Sequence, residues 1–233
     1  MSDERVLLIT GASTGIGAAT ARAAAEQGWK VALAARSEDK LKDLAGEIGD
    51  DSALAVRCDV TDWGDQQRMV AETLERFGRI DAAFANAGFG AKRGFLEGDP
   101  DSWRAMVLTN VLGPALTIRA VLPHFLENDR GHFLITSSVA GRRALPGSLY
   151  SATKHAATAM GESLRQELRQ MHDNFSVRVT LIEPGMTDTP FFDDKPQGAL
   201  ESEDIAAAVL YALSQPGRVD VNEILVRPVS QAG

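Results

Sequence analysis

Tyr150 and Lys154 stand four residues apart in Tyr150-Ser151-Ala152-Thr153-Lys154. On a helix this spacing puts both side chains on one face, a turn apart. A tyrosine hydroxyl titrates near ~10, too high for ready proton exchange at neutral pH. A neighbouring ammonium favours the phenolate and should lower that value, so the pair reads as a proton-exchanging acid tuned by a cation. Thr136-Ser137-Ser138 supplies hydroxyls at the end of an apolar run, where one of them can orient and polarise an oxygen. Asn110 interrupts Val107-Leu108 and Val111-Leu112, and an amide among apolar neighbours must find hydrogen-bond partners. Near the start, Thr10-Gly11-Ala12-Ser13-Thr14-Gly15-Ile16-Gly17 follows another apolar run. Gly11 permits a tight turn, Gly15 lets backbone approach a phosphate, and Gly17 allows close packing of the helix that begins there. That helix would aim its free N–H groups at an anion. The spacing is GxxxGxG rather than GxGxxG, and no Lys follows as in a Walker loop. His124, His132, His155 and His172 have no metal-ligand spacing, and Cys58 is the only cysteine, so no metal site and no internal disulfide are expected.

The elements that must position these groups alternate along the chain. Short aliphatic runs at Val6–Thr10, Lys30–Ala35, Ala53–Cys58, Ile80–Ala85, His132–Ser137, Val177–Glu183 and Glu223–Arg227 predict seven strands. Segments with helical spacing lie between them: Gly15–Gln27, Glu38–Ile48, Asp65–Phe77, Asp101–Leu126, Tyr150–His172 and Ser202–Leu213. Val6, Leu7, Leu8 and Ile9 are apolar in succession, as a strand covered on both faces requires. Asp62 and Asp101 are placed to cap helices, and Gly28, Gly49 and Gly78 to end them. The pattern predicts one α/β domain over 1–233, a doubly wound, Rossmann-like seven-stranded parallel sheet with helices on both faces.

The composition fits such a domain. Of 233 residues, 44% are hydrophobic and 24% charged, the usage of an ordinary soluble globular chain. The net charge of −8 repels polyanions, so nucleic acid is not an expected partner. The opening MSDERVLLIT has no basic region followed by a long apolar core, and the longest obviously apolar stretch, Ala206 to Leu213, is eight residues, far short of the ~20 a membrane span needs. The single cysteine suits a cytoplasmic setting.

From the glycine loop onward the chain resembles the short-chain dehydrogenase/reductase family along nearly its whole length. The likeness is carried by the loop, Cys58-Asp59-Val60-Thr61-Asp62, Asn86-Ala87-Gly88, Thr109-Asn110-Val111, Thr136-Ser137-Ser138, the YxxxK pair and Pro184-Gly185-Met186-Thr187-Asp188-Thr189. It implies an oxidoreductase in which Tyr150 is the acid/base, Ser138 holds the substrate oxygen, and Lys154 tunes the tyrosine and bonds the nicotinamide ribose. It also implies that Asn110 kinks its helix and supports a proton path. Asp59 would bond the adenine amino group beside Val60, Asn86-Ala87-Gly88 would approach the cofactor ribose, and Pro184, Gly185, Thr187 and Thr189 would meet the nicotinamide half. With Gly11, Ser13, Thr14, Gly15, Ile16 and Gly17 these form the expected cofactor set. The Ser138–Tyr150 interval is one residue shorter than is usual in the family, so counting back from the tyrosine favours Ser137; position at the strand end favours Ser138.

Finer expectations follow. Strand two ends Ala35-Arg36-Ser37 without the carboxylate that selects NAD, and Arg36 can pair with a 2′-phosphate while Ser37 adds a hydroxyl, so NADP(H) is the expected cofactor. The alternative for Arg36 is a surface pairing with Glu38 or Asp39. A substrate lid is expected at about 186–202, its capping segment Phe191–Leu200 bringing Phe191 and Phe192 beside Asp193, Asp194 and Lys195. The substrate is a small alcohol or carbonyl compound, and the tail Val219–Val229 resembles relatives acting on short 3-hydroxy acids, serine among them. Arg142 and Arg143 are either solvated surface cations or partners of a substrate carboxylate. The resemblance implies a homotetramer, with a dimer second, using an apolar stripe of Leu149, Ala156, Met160, Leu164, Leu168 and Met171 and the small residues Ala152, Ala157, Ala159 and Gly161. A non-catalytic NADP-binding regulatory protein is the alternative, against which the complete Asn110, Ser138, Tyr150, Lys154 set speaks; a methyltransferase would have no use for YxxxK.

Overall fold

A computed structural model describes residues 4–191 and 197–231. Seven strands form one parallel sheet in the order β3-β2-β1-β4-β5-β6-β7. They are β1 (Val6–Thr10), β2 (Lys30–Ala35), β3 (Ala53–Arg57), β4 (Ala82–Ala85), β5 (Gly131–Thr136), β6 (Val177–Pro184) and β7 (Glu223–Val226). Successive strand residues serve opposite faces. Leu7, Ile9, Val31, Leu33 and Phe84 pack under helices α1 (Gly15–Glu26), α2 (Glu38–Ile48) and α7 (Ser202–Ser214). Leu8, Ala32, Ala34, Ala83 and Phe133 pack under α3 (Trp63–Phe77), α5 (Gly113–Glu127) and α6 (Leu149–Gln170). Coverage on both sides is why these strands show no apolar–polar alternation.

Winding reverses between β1 and β4, which pair directly. In an open parallel sheet such a reversal leaves a crevice at the carboxyl ends of the strands. The helix expected over Asp101–Leu126 is instead α4 (Pro100–Val107), a π-helical turn at Leu108–Leu112 and then α5. Its cap is Asp99, whose carboxylate accepts from the Ser102 amide at 2.9 Å, and not Asp101, which lies in the first turn. Asp62 does cap α3, accepting from the Asp65 amide at 2.8 Å. The Pro100–Glu127 run is long and apolar enough to cross a bilayer by length alone, but its Ile118, Val121 and Phe125 are packed into the second core cluster. On α6, Ala157, Leu164 and Leu168 belong to that same core and Gly161 is buried against Leu181, so these are not free for an interface, while Met171 lies beyond the helix end and is exposed.

Candidate active site

The glycine loop closes on the end of β4. A Cβ on Gly11, whose φ is +67°, would sit 2.8 Å from the Ala87 Cα, and one on Gly17 only 2.3 Å from the Gly11 carbonyl oxygen. Gly17 therefore packs against the loop itself rather than against the sheet. The Asn86 side-chain amide donates to the Thr10 and Gly11 carbonyls at 3.2 and 3.4 Å, and its oxygen accepts from Thr136 at 3.1 Å. The Thr10 hydroxyl accepts from the amides of Asn86 and Ala87. One asparagine thus locks the ends of β1, β4 and β5 together. Thr14 precedes α1 without making a side-chain capping bond, so the first-turn amides retain a face for an anion.

Asn110 lies within the π-helical turn and is buried. Its amide nitrogen donates to the Phe89 carbonyl at 2.9 Å and the Thr153 hydroxyl at 3.1 Å, and its oxygen accepts from the Phe89 amide at 3.0 Å. A π-bulge releases the regular i→i−4 pattern locally and is frequent at functional sites. Here it turns an amide between the segment after Asn86-Ala87-Gly88 and helix α6.

Helix α6 begins after Ser148, whose hydroxyl accepts from the Ser151 amide. Lys154 is buried and its ammonium donates to the Thr136 carbonyl at 2.8 Å. Burial pulls that ammonium down to about 8. The Lys154 Nζ lies 5.6 Å from the centre of the Tyr150 ring. The expected lowering of the tyrosine by the lysine is not what the polypeptide alone produces. Burial pushes the Tyr150 phenol up to about 12, and the opposing influence is hydrogen bonding with Ser138. The physical reason is that desolvation penalises the phenolate and the ammonium alike.

The two serines separate cleanly. The Ser138 hydroxyl donates to the Pro184 carbonyl at 3.3 Å and accepts from the Ala140 amide at 3.1 Å, and its nearness to Tyr150 favours the phenolate. The Ser137 hydroxyl turns the other way, donating to the Lys154 carbonyl and pairing with Thr158. Ser137 also lies just past β5, which ends at Thr136.

Thr187 is buried and bridges to Leu200, while Thr189 reaches the phosphate loop, its Cγ2 standing 3.1 Å from where a Gly15 Cβ would be. Two residues on, the Phe191 ring meets Tyr150 edge-on at 5.2 Å. A Cβ on Gly90 would come within 2.6 Å of that ring. Of the expected lid, Phe192, Asp193, Asp194 and Lys195 lie outside the described residues. At the other end of the crevice Arg36 is exposed and in no ion pair among the described residues; Glu38 pairs with Lys42 at 2.7 Å instead. The Asp59 carboxylate accepts from the Thr61 amide and hydroxyl, and Val60 is buried. Arg142 is exposed, as a surface arginine would be, and is also paired with the buried Glu183. The residue pattern gave no sign of the contacts of Thr10 and Thr153 or of the Glu183 partner, and it placed Phe191 in the lid without showing its contact with Tyr150, because these contacts join residues far apart in sequence.

The family model described as short chain dehydrogenase matches residues 5–199. The chain belongs to the short-chain dehydrogenase/reductase family. An uncharacterized oxidoreductase of Staphylococcus saprophyticus is 41% identical, over 97% of this chain and 98% of that protein. Among solved structures, an alcohol dehydrogenase from Thermococcus sibiricus complexed with 5-hydroxy-NADP superposes with a TM-score of 0.91 at 34% identity, covering 99% of each chain. A serine dehydrogenase complexed with NADP+ gives a TM-score of 0.91 at 30% identity, covering 98% of this chain and 96% of that one. The protein is thus an oxidoreductase of NAD(P)-binding type.

Proposed function

We propose that the chain is an NADP-dependent dehydrogenase/reductase of a small alcohol or carbonyl compound, with Tyr150 as general acid/base. The observation that carries this reading is the convergence of Ser138, Tyr150, Lys154 and Asn110 beside the Cβ-free glycine crevice. The residues fit a dinucleotide. Gly11, Ser13, Thr14, Gly15, Ile16 and Gly17 would hold its pyrophosphate, Asp59 and Val60 its adenine, and Asn86, Ala87, Gly88, Tyr150 and Lys154 its nicotinamide ribose. Pro184, Gly185, Thr187 and Thr189 would line the nicotinamide. When bound, the nicotinamide supplies or takes the hydride.

Tyr150 holds the proton at its hydroxyl and passes it to the substrate oxygen in reduction, or receives it in oxidation. Ser138 orients that oxygen, anchored by the Pro184 carbonyl and the Ala140 amide. A phenol held near 12 in the polypeptide needs positive charge close by to ionise at working pH. Lys154, held at the Thr136 carbonyl, is the cation the chain itself supplies. Asn110 braces the segment behind Lys154 through Phe89 and Thr153. Phe191 packs edge-on against one side of the Tyr150 ring.

The buried Ala35 and exposed Arg36 at the end of β2 support the choice of NADP over NAD, since no carboxylate there repels a 2′-phosphate. The test is incubation with NADPH and a panel of carbonyl compounds including 4-nitrobenzaldehyde, and with NADP+ and short 3-hydroxy acids including serine, followed at the nicotinamide absorbance. Turnover is expected with at least one member; tight NADPH binding without turnover on the whole panel overturns the enzymatic reading. We also propose a cytoplasmic homotetramer. Trp63, Val107, Leu108 and Leu112, each 37–40% exposed, support an assembly face on the α4–α5 side. Light scattering should give a multiple of the 25.0 kDa chain; a monomer at micromolar concentration overturns it.

A further inference from the structure

Arg142 leaves the loop after Ser138 and turns back onto the sheet. Its Nε donates to both carboxylate oxygens of Glu183, at 2.8 and 2.9 Å. A terminal guanidinium nitrogen pairs with Glu223 on β7. The Glu183 side chain is 0% exposed and Arg142 is 39% exposed. A carboxylate so placed must be paired or give up its charge. Burial raises the Glu183 carboxyl, and the Arg142 guanidinium opposes that rise.

Glu183 directly precedes Pro184, whose carbonyl receives the Ser138 hydroxyl. Ser138 in turn opens the 3₁₀ turn Val139–Gly141, and Arg142 closes it, its amide donating to the Val139 carbonyl at 3.1 Å. The contacts form a ring: Ser138, the turn, Arg142, Glu183, Pro184 and back to the Ser138 hydroxyl. One link is a charge-assisted hydrogen bond in which a single Nε–H is shared by both oxygens of a fully buried carboxylate.

We propose that Arg142 is a positioning residue for Ser138: by clamping Glu183 it fixes the Pro184 carbonyl and the 3₁₀ turn relative to each other, and so holds the Ser138 hydroxyl against Tyr150. The inference rests on the reading of Ser138 as the orienting hydroxyl. It also assigns Arg142 to two protein carboxylates instead of to a substrate carboxylate.

The test is a double-mutant cycle on Ser138→Ala and Arg142→Met, using NADPH with 4-nitrobenzaldehyde or, where faster, another carbonyl of the same panel. NADPH fluorescence checks that the cofactor still binds. Ser138→Ala should lose roughly 10²-fold in kcat. Arg142→Met should lose about tenfold in kcat, with KM little changed, through misplacement of one hydroxyl. The double variant should be no slower than Ser138→Ala, because Arg142 acts only through that hydroxyl. In alcohol oxidation both single variants should move the acid limb of the pH profile upward, since each weakens the Ser138 contact that favours the phenolate. Arg142→Lys, which keeps the charge and loses the two-oxygen geometry, should restore part of kcat; it replaces Arg142→Met in the cycle if the latter does not fold. A near-normal kcat for Arg142→Met, losses that multiply in the double variant, or a loss confined to KM for a carboxylate-bearing substrate overturns the proposal while leaving Ser138 in place. A neutral Ser138→Ala overturns the reading of Ser138 and the proposal with it.

Discussion

Ser137 and Ser138 are adjacent, yet their hydroxyls face different partners. Ser138 meets Tyr150 and the Pro184 carbonyl, and Ser137 meets the backbone of α6. Alanine at Ser138 should therefore cost roughly 10²-fold in kcat and alanine at Ser137 little, by steady-state kinetics. The opposite ranking would exchange their roles. At the adenine end, Ala35→Asp with Arg36→Ile should shift preference from NADP(H) toward NAD(H), measured as kcat/KM for each cofactor. The shift comes from adding a carboxylate that repels the 2′-phosphate and removing the exposed guanidinium that attracts it. Equal use of both cofactors by the wild type contradicts the role given to Arg36. Tyr150, Lys154 and Ser138 were legible because their types and spacing carry the chemistry directly. The ion pairs of Arg142 were not legible, because its partners, Glu183 and Glu223, are brought to it only by the pairing of β6 with β7. The burial that pushes the Tyr150 phenol up was not legible either, because spacing reports a neighbouring cation and says nothing of desolvation.

At the level of elements, the strands could be read from aliphatic runs to within a residue or two. The distortion at Asn110, which the resemblance implied as a kink, is the π-helical turn at Leu108–Leu112; spacing alone does not reveal it, because the sequence keeps ordinary helical spacing there and the Asn110 bonds to Phe89 and Thr153 reach far along the chain. A second local feature lies on β5, where buried His132 pairs its Nε2 with the Thr180 hydroxyl at 2.7 Å. Burial, assisted by Arg178, lowers its imidazole from 6.5 to about 3. Between those values the unfolded chain binds a proton that the folded chain does not. Stability from this group is thus complete above pH ~6.5 and falls as pH drops, by up to about 1.4 kcal/mol per unit, until the folded value is reached. His132→Gln should flatten the decline in Tm between pH 7.5 and 5.5. An unchanged decline would place the acid sensitivity elsewhere.

For the whole molecule, doubly wound topology decides where chemistry can occur. The reversal between β1 and β4 opens the crevice. Asn86 ties β1, β4 and β5 together beneath it, and α6 carries Tyr150 and Lys154 across the ends of β5 and β6. Every proposed role depends on this single arrangement, with Tyr150 as the proton-exchanging group at its centre. The most direct measurement compares wild type and Tyr150→Phe for NADPH-dependent carbonyl reduction, with NADPH affinity measured alongside by fluorescence. The account predicts unchanged NADPH affinity and a loss of kcat of at least ~10²–10⁴-fold, since only the proton-exchanging hydroxyl is removed. Near-normal turnover by Tyr150→Phe would contradict it.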